Sequence, residues 1–293
     1  MGSPEIDHVI EQCLQKQEAV LNLSHRDISV LPPTLRQVTH VRRLLLNNNK
    51  LLMPPTELLA LQQLEELTLD CNNLTLLPTG IGELSTLTYL SLSNNSLGFL
   101  PGEIGKLQDL TQLWIADTKL MGLPPEIGLL QKLEKLSAKN NQISSLPDEL
   151  CNLSKLSWLN LAQNQLDRLP GSFYKLQNLS YLNVDGNRFA EVPAGLGDTP
   201  VLSSLSLRKN MISSLPDDLL LSLNKLCKID LRENPLQERP AHWKGLDFIL
   251  LGPDNTGAGD GPGTSTESED TDSSGDSTED GDDSPTEEQT IGT

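Results

Sequence analysis

Histidine and cysteine most often carry acid–base, nucleophilic or metal chemistry in proteins, and this chain has only four of each. No HExxH, GxSxG or paired Cys–His spacing surrounds the histidines, which are His8, His25, His40 and His242. No CxxC pair occurs among the widely spaced cysteines, which are Cys13, Cys71, Cys151 and Cys227. This spacing favours reduced thiols over a disulfide framework or a zinc site. We therefore predict no catalytic residue, no metal and no cofactor.

Two weaker candidates for chemistry can be named. The segment Gly102-Glu103-Ile104-Gly105-Lys106-Leu107 superficially resembles a phosphate-binding loop. However, a P-loop needs four residues between its glycines and a Ser or Thr after the lysine, and a similar phrase recurs at residues 80–84. We interpret the segment as repeat consensus and expect no small-molecule substrate. Cys71 is either a redox-sensitive thiol or, more simply, an unreactive and semi-exposed cysteine.

Charge is distributed unevenly along the chain. The formal net charge is −18, and residues 252–293 hold thirteen Asp and Glu with no Lys or Arg. An acidic protein is a poor nucleic-acid binder, and no apolar stretch is long enough to span a membrane. The first residues lack a basic region followed by an apolar one, so secretion is not expected. We expect a cytoplasmic protein, with the nucleus as the alternative compartment.

The chain contains an internal sequence repeat. The strands and turns of this repeat must position any functional residue. Its ten anchor residues, called position n, follow one another at intervals of 23 residues, with 24 at the last step. Every repeat has Leu or Ile at n−5 and proline at n+6. The anchors are Arg26, Asn49, Asn72, Asn95, Thr118, Asn141, Asn164, Asn187, Asn210 and Asn234.

The repeat unit reads LxxLxLxxNxLxxLPxxIxxLxx, a leucine-rich repeat. Its LxL alternation predicts a short strand, and its second half predicts a helical or 3₁₀ segment. The anchor amide can bond to backbone groups of neighbouring turns, and the hydroxyl of Thr118 is expected to join this ladder. Units share a core by stacking. The predicted fold is therefore α/β, a leucine-rich repeat solenoid (a right-handed horseshoe) with about ten parallel strands on its concave face.

Four regions follow from this pattern. Residues 1–18 are predicted to form a capping helix, because Ile6, Ile10 and Cys13 share one apolar stripe. Ten repeats cover residues 19–240, and their last return segment is expected to be a fuller helix. Residues 241–251 form a C-terminal cap. Residues 252–293, rich in Gly, Ser, Thr, Asp and Glu, are predicted to be a disordered tail.

The period of 23 residues with Leu-Pro after the asparagine resembles the intracellular Ras-group leucine-rich repeats, including Ras suppressor-type proteins. The segments Leu21-Asn22-Leu23-Ser24 and Glu233-Asn234-Pro235-Leu236 are also similar to that group. The resemblance implies a scaffold without catalysis that binds small GTPases, phosphatase subunits or cytoskeletal adaptor domains. The acidic tail, Arg26 and Thr118 depart from the family pattern.

Side chains that leave the strands on the concave face are the candidate binding residues. Four of the six Trp and Tyr residues fall at n−6 or n−4 of repeats four to eight. Such residues dominate protein interfaces, although they also pack against one another on sheets. Basic residues gather in repeats eight to ten. The predicted partner-binding residues are Tyr89, Trp114, Lys135, Trp158, Tyr181, Arg188, Arg208, Lys209 and Arg232.

The tail offers a regulatory hypothesis. Ser/Thr-x-x-Asp/Glu, an acidic context that kinases of the casein kinase 2 type favour, marks Thr264, Thr266, Ser273, Ser277 and Ser284 as candidate phosphosites. One interpretation is that the tail competes for the basic concave residues, more strongly once phosphorylated. The alternative is a tail that only keeps the protein in solution.

The preferred functional interpretation is a monomeric, non-catalytic scaffold that grips a folded protein partner in small-GTPase or adhesion and cytoskeletal signalling. The alternative is an acidic leucine-rich nuclear phosphoprotein that acts as a histone chaperone or phosphatase inhibitor. Those proteins have about half as many repeats and a denser acidic tail, which favours the first interpretation.

Overall fold

The computed structural model describes residues 3–53, 55–236, 243 and 245–253. Eleven short parallel strands form one sheet in chain order, each joined to its sequence neighbours. The strands are β1 Val20–Asn22, β2 Arg43–Leu45, β3 Glu66–Thr68, β4 Tyr89–Ser91, β5 Gln112–Trp114, β6 Lys135–Ser137, β7 Trp158–Asn160, β8 Tyr181–Asn183, β9 Ser204–Ser206, β10 Lys228–Asp230 and β11 Ile249–Leu250. The first ten are in the register that the repeat predicts, with the n−5 leucines side by side, as in the pairs Leu21–Leu44 and Leu136–Leu159.

Short 3₁₀ segments return the chain from each strand to the next, because the Leu-Pro step extends the backbone before the turn. They span Pro33–Gln37, Thr56–Ala60, Ile81–Glu83, Gly102–Lys106, Pro125–Leu129, Asp148–Asn152, Phe173–Lys175 and Ala194–Leu196. The ninth return is the helix α2, Asp217–Ser222, where the sequence has its one extra residue. A continuous core of leucine and isoleucine lies between the strands and these segments.

The two ends of the core are covered differently. At the N-terminus the helix α1, Ser3–Lys16, buries Ile6, Ile10 and Cys13 against the first repeat. At the C-terminus β11 adds a strand beyond the ten repeats, since the amide of Ile229 donates to the carbonyl of Phe248 at 2.8 Å. Trp243 is buried there, and its Nε1 donates to Asp217 of α2 at 3.1 Å. Residues 241, 242 and 244 of the predicted cap, Pro240, and the tail from residue 254 with its candidate phosphosites lie outside the described residues.

The anchor asparagines form a ladder of side-chain hydrogen bonds through the repeats. Asn164 is representative: its Oδ1 accepts from the amide of Ile143 at 3.0 Å, and its Nδ2 donates to the carbonyls of Ala138 at 2.9 Å and Leu161 at 3.0 Å. Two of these three groups belong to the preceding repeat. Each asparagine therefore joins two repeats through backbone groups that water does not reach.

Thr118 takes part in the ladder in one direction. Its hydroxyl lies 2.8 Å from the carbonyl oxygen of Ile115 and 3.1 Å from Oδ1 of Asn141 in the next repeat, and these two acceptors share its single proton. Among the described hydrogen bonds, none joins its side chain to the preceding repeat. A backbone bond from the amide of Gly98 to the carbonyl of Thr118, 3.1 Å, connects the two repeats there. The shorter side chain thus keeps a bond within its own repeat, but not the asparagine's bonds to the preceding repeat.

A left-handed residue precedes every anchor. All ten residues at n−1 have φ between 53° and 61°, and only one of them, Gly186, is a glycine. This conformation ends each strand and turns the anchor side chain inward, while the n−1 amide bonds to the next repeat, as from Gln163 to the carbonyl of Asp185 at 2.7 Å. The turn is thus built into each repeat by backbone geometry.

Asn164→Ala should lower the free energy of unfolding by about 1–3 kcal/mol, because it leaves buried backbone groups without partners. Thr118→Ala should have the smaller effect, since it removes one hydroxyl with no bond to the preceding repeat. Urea denaturation of both variants and the wild type measures the difference. Equal midpoints for Asn164→Ala and the wild type would contradict the role of the ladder.

Glycine on the return side lets successive 3₁₀ segments approach closely. A Cβ at Gly128 would lie 2.3 Å from the carbonyl oxygen of Glu149, whereas a Cβ at Gly122 would meet no atom within 4 Å. Gly128→Ala should therefore cost about 1–3 kcal/mol of stability through overpacking. The control Gly122→Ala should be neutral or stabilising by about 0.4–1 kcal/mol, because it restricts only the unfolded chain. A thermal melt that ranks the two variants in the opposite order would refute the steric argument.

Candidate functional site

The strands present their outward side chains on one continuous surface, the concave face of the predicted solenoid. Each of the strands β1 to β10 buries its central leucine or isoleucine, and its first residue is half-buried or exposed, as Trp158, Tyr181 and Lys135 illustrate. This alternation follows from the period of two in a strand. The n−6 and n−4 positions therefore form the surface on which the sequence analysis places the binding residues.

Three aromatic side chains form one stack on this surface. Trp158 has Trp114 on one side and Tyr181 on the other, each with a ring-centroid distance of 5.4 Å. The rings of Trp158 and Tyr181 are nearly parallel, at 6°, and those of Trp114 and Trp158 are tilted by 45°. We call these three residues the aromatic stack. Ring contacts of this kind contribute about 0.5–1.5 kcal/mol beyond their buried area.

The strand register explains how Trp114 reaches a ring two strands away. β6 lies between β5 and β7, and it places Ser137 beside Trp114. Because Ser137 is small and only 3 % exposed, the indole can lean over β6 towards Trp158. Tyr89 lies one strand further out, on β4. The structure thus brings Trp114, Trp158 and Tyr181 together on one face.

The aromatic stack contains an unsatisfied donor. Nε1 of Trp114 is buried and has no acceptor among the described residues. Buried donors of this kind are uncommon, because each costs about 1–3 kcal/mol when it leaves water without a partner. The indole of Trp114 is therefore held in the stack with its one donor buried and without an acceptor.

The predicted basic residues divide into two groups. Arg208 donates to Glu233 at 2.8 Å, and Arg232 holds the buried carboxylate of Asp230 through two bonds of 2.9 and 2.6 Å. These ion pairs neutralise part of the positive charge that the sequence analysis places in repeats eight to ten. The other three, Lys135, Arg188 and Lys209, are exposed.

Two aspartates have a role that the repeat pattern did not reveal. Oδ1 of Asp185 accepts from the hydroxyl of Ser206 at 2.6 Å and from the amide of Arg208 at 2.7 Å. Asp70 makes the same two contacts, to Ser91 and to the amide of Ser93. The signal is Asp at n−2 followed 21 residues later by Ser. These carboxylates join adjacent repeats on the concave side.

The surroundings of Asp185 and Cys71 raise the pKa of both groups above that of ordinary surface groups. Burial raises the pKa of Asp185, and the nearby carboxylate of Asp230 adds to the rise, against the bonds from Ser206 and Arg208. Burial and the charge of Asp70 raise the pKa of the Cys71 thiol. A thiol with a raised pKa holds less of the reactive thiolate. This favours the interpretation of Cys71 as unreactive.

In the part of the chain that the structure describes, no three His, Cys, Asp or Glu side chains are grouped to hold a metal ion. His8 bonds to Gln12 and His25 bonds to Asn48, both on the surface. The described helices are also too short and polar to cross a membrane.

Asp185→Asn should raise the free energy of unfolding at pH 7, since asparagine retains an acceptor for Ser206 and Arg208 without a buried charge. A raised pKa in the folded state means that ionisation opposes folding. The wild type should therefore lose stability as pH rises from the carboxyl's unfolded pKa through its folded pKa. The advantage of Asp185→Asn should shrink as pH falls towards about 4. Urea titrations between pH 4 and 8 test this, with Asp167→Asn, at an exposed loop, as the control. A gain that is constant with pH would contradict the assignment.

Comparisons with known proteins agree with this architecture. A family model described as "Leucine rich repeat" matches residues 62–120 and 131–189. A comparison with curated protein sequences gives no match. Among solved structures, a leucine-rich repeat protein of Leptospira interrogans is 34 % identical with a TM-score of 0.71, over 77 % of this chain and 57 % of that one.

Two further structures are similar. A plant peptide hormone receptor, RGFR1 in complex with RGF2, is 27 % identical with a TM-score of 0.60, over 76 % of this chain and 38 % of that one. The functional domain of InlJ from Listeria monocytogenes, at 22 % identity, shares the fold, with a TM-score of 0.65 over 80 % of this chain and 48 % of that one. The chain spans less than two thirds of each of these structures. It contains leucine-rich repeats of the matched family, and its described part has the fold of a leucine-rich repeat solenoid.

Proposed function

We propose that the chain is a non-catalytic scaffold that binds a folded protein partner on its concave face. The observation that carries this proposal is the aromatic stack. Its three rings are half-buried on the strand surface, although the core beneath them is filled almost entirely by leucine and isoleucine. The fold obtains its apolar burial without these rings, so their place on the surface favours a role in binding.

The chemistry of the stack suits a protein interface. Trp and Tyr supply large, rigid contact areas, and they are enriched among the residues that dominate binding energy. Because Trp158 is held between two rings, little conformational entropy remains to be lost when a partner covers it. The stack is therefore preorganised as an anchor region.

Charge supports an orienting role around this anchor. The exposed cations Lys135, Arg188 and Lys209 belong to repeats six, eight and nine, close to the stack along the sheet. Arg208 and Arg232 are already paired within the chain, so they offer less to a partner. Exposed charges of this kind steer and orient an encounter more than they add to affinity. We infer a partner surface with apolar contacts at its centre and carboxylates at its margin.

The plant receptor described in complex with RGF2 provides a parallel, since it is a similar solenoid found with another molecule. For this chain we propose a protein partner in small-GTPase or adhesion and cytoskeletal signalling, in the cytoplasm. That part of the proposal rests on the 23-residue Leu-Pro repeat type. Salt-dependent binding of core histones would instead favour the alternative of an acidic nuclear phosphoprotein.

Trp158→Ala and Tyr181→Ala should each weaken partner binding by about 2 kcal/mol or more, because they remove anchor side chains from the centre of the surface. The full chain serves as bait for enrichment from cell extract, and the affinity of the captured partner is then measured by calorimetry. Tyr174→Ala is the matched control, since Tyr174 is an exposed aromatic residue on a 3₁₀ segment away from the strands.

The control should bind as the wild type does. Large destabilisation of Trp158→Ala and Tyr181→Ala with intact partner binding would show that the aromatic stack serves packing alone. Binding lost equally in Tyr174→Ala would place the partner on another surface.

A further inference from the structure

A second apolar surface lies in the loops that follow the anchor residues. At n+3 and n+4 of the first five repeats, six large apolar side chains are between 42 % and 74 % exposed. We call them the apolar ridge: Val30, Leu52, Met53, Leu76, Phe99 and Met121. They lie outside the strands and contribute little to the core.

The ridge is continuous because backbone hydrogen bonds join each loop to the next. The amide of Lys50 donates to Ile28 at 2.8 Å, that of Asn73 to Leu51 at 2.9 Å, that of Ser96 to Leu74 at 2.9 Å and that of Met121 to Gly98 at 3.2 Å. Neighbouring repeats are roughly 4.8 Å apart, so five repeats align these side chains over about 20 Å. The six residues therefore form one patch.

The fold itself does not require apolar residues at these positions. The same columns in repeats six to nine hold polar, charged or small residues, namely Ser144, Ser145, Asp167, Arg168, Ala190, Glu191, Ser213 and Ser214. Those repeats have strands of the same length, paired in the same parallel sheet, as the first five. An extended exposed apolar patch in one half of an otherwise regular stack indicates an interaction surface.

We propose that the apolar ridge is the interface of a homodimer, in which two copies pack ridge against ridge in antiparallel order about a twofold axis at Leu76. The exposed fractions correspond to roughly 700 Å² of apolar surface, if a fully exposed large side chain has about 200 Å². Two copies would bury about 1,400 Å², which lies within the range of specific interfaces. This replaces the monomer that the sequence analysis expects.

Charge around the ridge fits a second copy of the chain. In the n+1 column of these five repeats the charged residues are Asp27, Lys50 and Lys119, and Asp27 pairs with Lys50 at 2.9 Å. Equivalent positions of repeats one and five are symmetric about repeat three. A twofold axis there brings Asp27 of each copy near Lys119 of the other, and since Asp27 is already paired with Lys50, this contact orients the two copies more than it strengthens the dimer. A parallel arrangement would place each charge opposite its own kind.

The test is sedimentation equilibrium of the full chain from about 1 to 100 µM, at low and high salt. The wild type should show a reversible monomer–dimer equilibrium that strengthens with salt, because screening the repulsion between chains of net charge −18 outweighs the loss of the two exposed Asp27–Lys119 contacts, which are worth little. Phe99→Ser with Met121→Ser should raise the dimer dissociation constant at least tenfold. Repeats six and nine already hold serine at these positions, and circular dichroism checks that the variant is folded.

Met211→Ser and Leu221→Ser are the controls, since both residues are exposed and apolar but lie off the ridge. They should leave the equilibrium unchanged. A wild type that stays monomeric throughout, even if the ridge captures another protein, overturns the proposal. So does a dimer that the ridge variant leaves intact.

Cross-linking tests the antiparallel order. In a chain with Cys71→Ser and Cys227→Ser, Leu76→Cys should oxidise to a disulfide-linked dimer, because position 76 meets its own copy at the axis. Val30→Cys should not, since it lies at the end of the ridge. Efficient self-linking by Val30→Cys without Leu76→Cys would overturn the antiparallel arrangement.

Discussion

The fold depends on one interaction, the hydrogen bonding of an anchor amide to backbone groups of its own and the preceding repeat. A single repeat has too few leucines to bury them alone, so it gains stability only through its neighbours. Side-chain contacts between leucines set the distance between repeats but tolerate sliding. The amide of Asn164, by contrast, contacts Ala138 and Ile143 in fixed directions. The ladder therefore converts a stack of apolar layers into a sheet with one register, and every outward side chain inherits its position from it.

The sequence predicts this part of the structure well because the ladder is periodic. Strand order, register and the anchor side chains all follow from spacing alone. For the aromatic stack, the sequence predicts that the three residues lie on one face, but not that their rings are in contact. Contact between Trp114 and Trp158 depends on the lean of an indole over Ser137, which no spacing encodes. The strand β11 was also missed, because it lies beyond the last repeat and pairs through residues without the consensus pattern.

The burial of Asp185 shows a second limit of sequence reasoning. From sequence alone, an aspartate at an outward position is expected to be a solvated charge. Only the serine of the next repeat indicates that this carboxylate is hydrogen-bonded and partly buried. Next to it, Arg232 pairs with Asp230, and this ion pair reduces the positive charge of the concave face. The basic character expected for repeats eight to ten is thus moderated by pairs formed within the chain. The aromatic stack is left as the feature that most distinguishes this part of the surface.

The left-handed residues before the anchors explain why the ladder must be strong. For a residue other than glycine this conformation costs about 1–2 kcal/mol, and nine of the ten n−1 residues are not glycine. The turn is needed because it ends the strand and directs the anchor amide into the stack. Most repeats therefore carry a local strain, which the bonds of the anchor amide to the preceding repeat help to offset. The turn within a repeat and its contact with the preceding repeat are coupled in this way, so the two form together. This coupling holds the aromatic stack and the apolar ridge, which belong to different repeats and different sides of the turn, in one rigid frame.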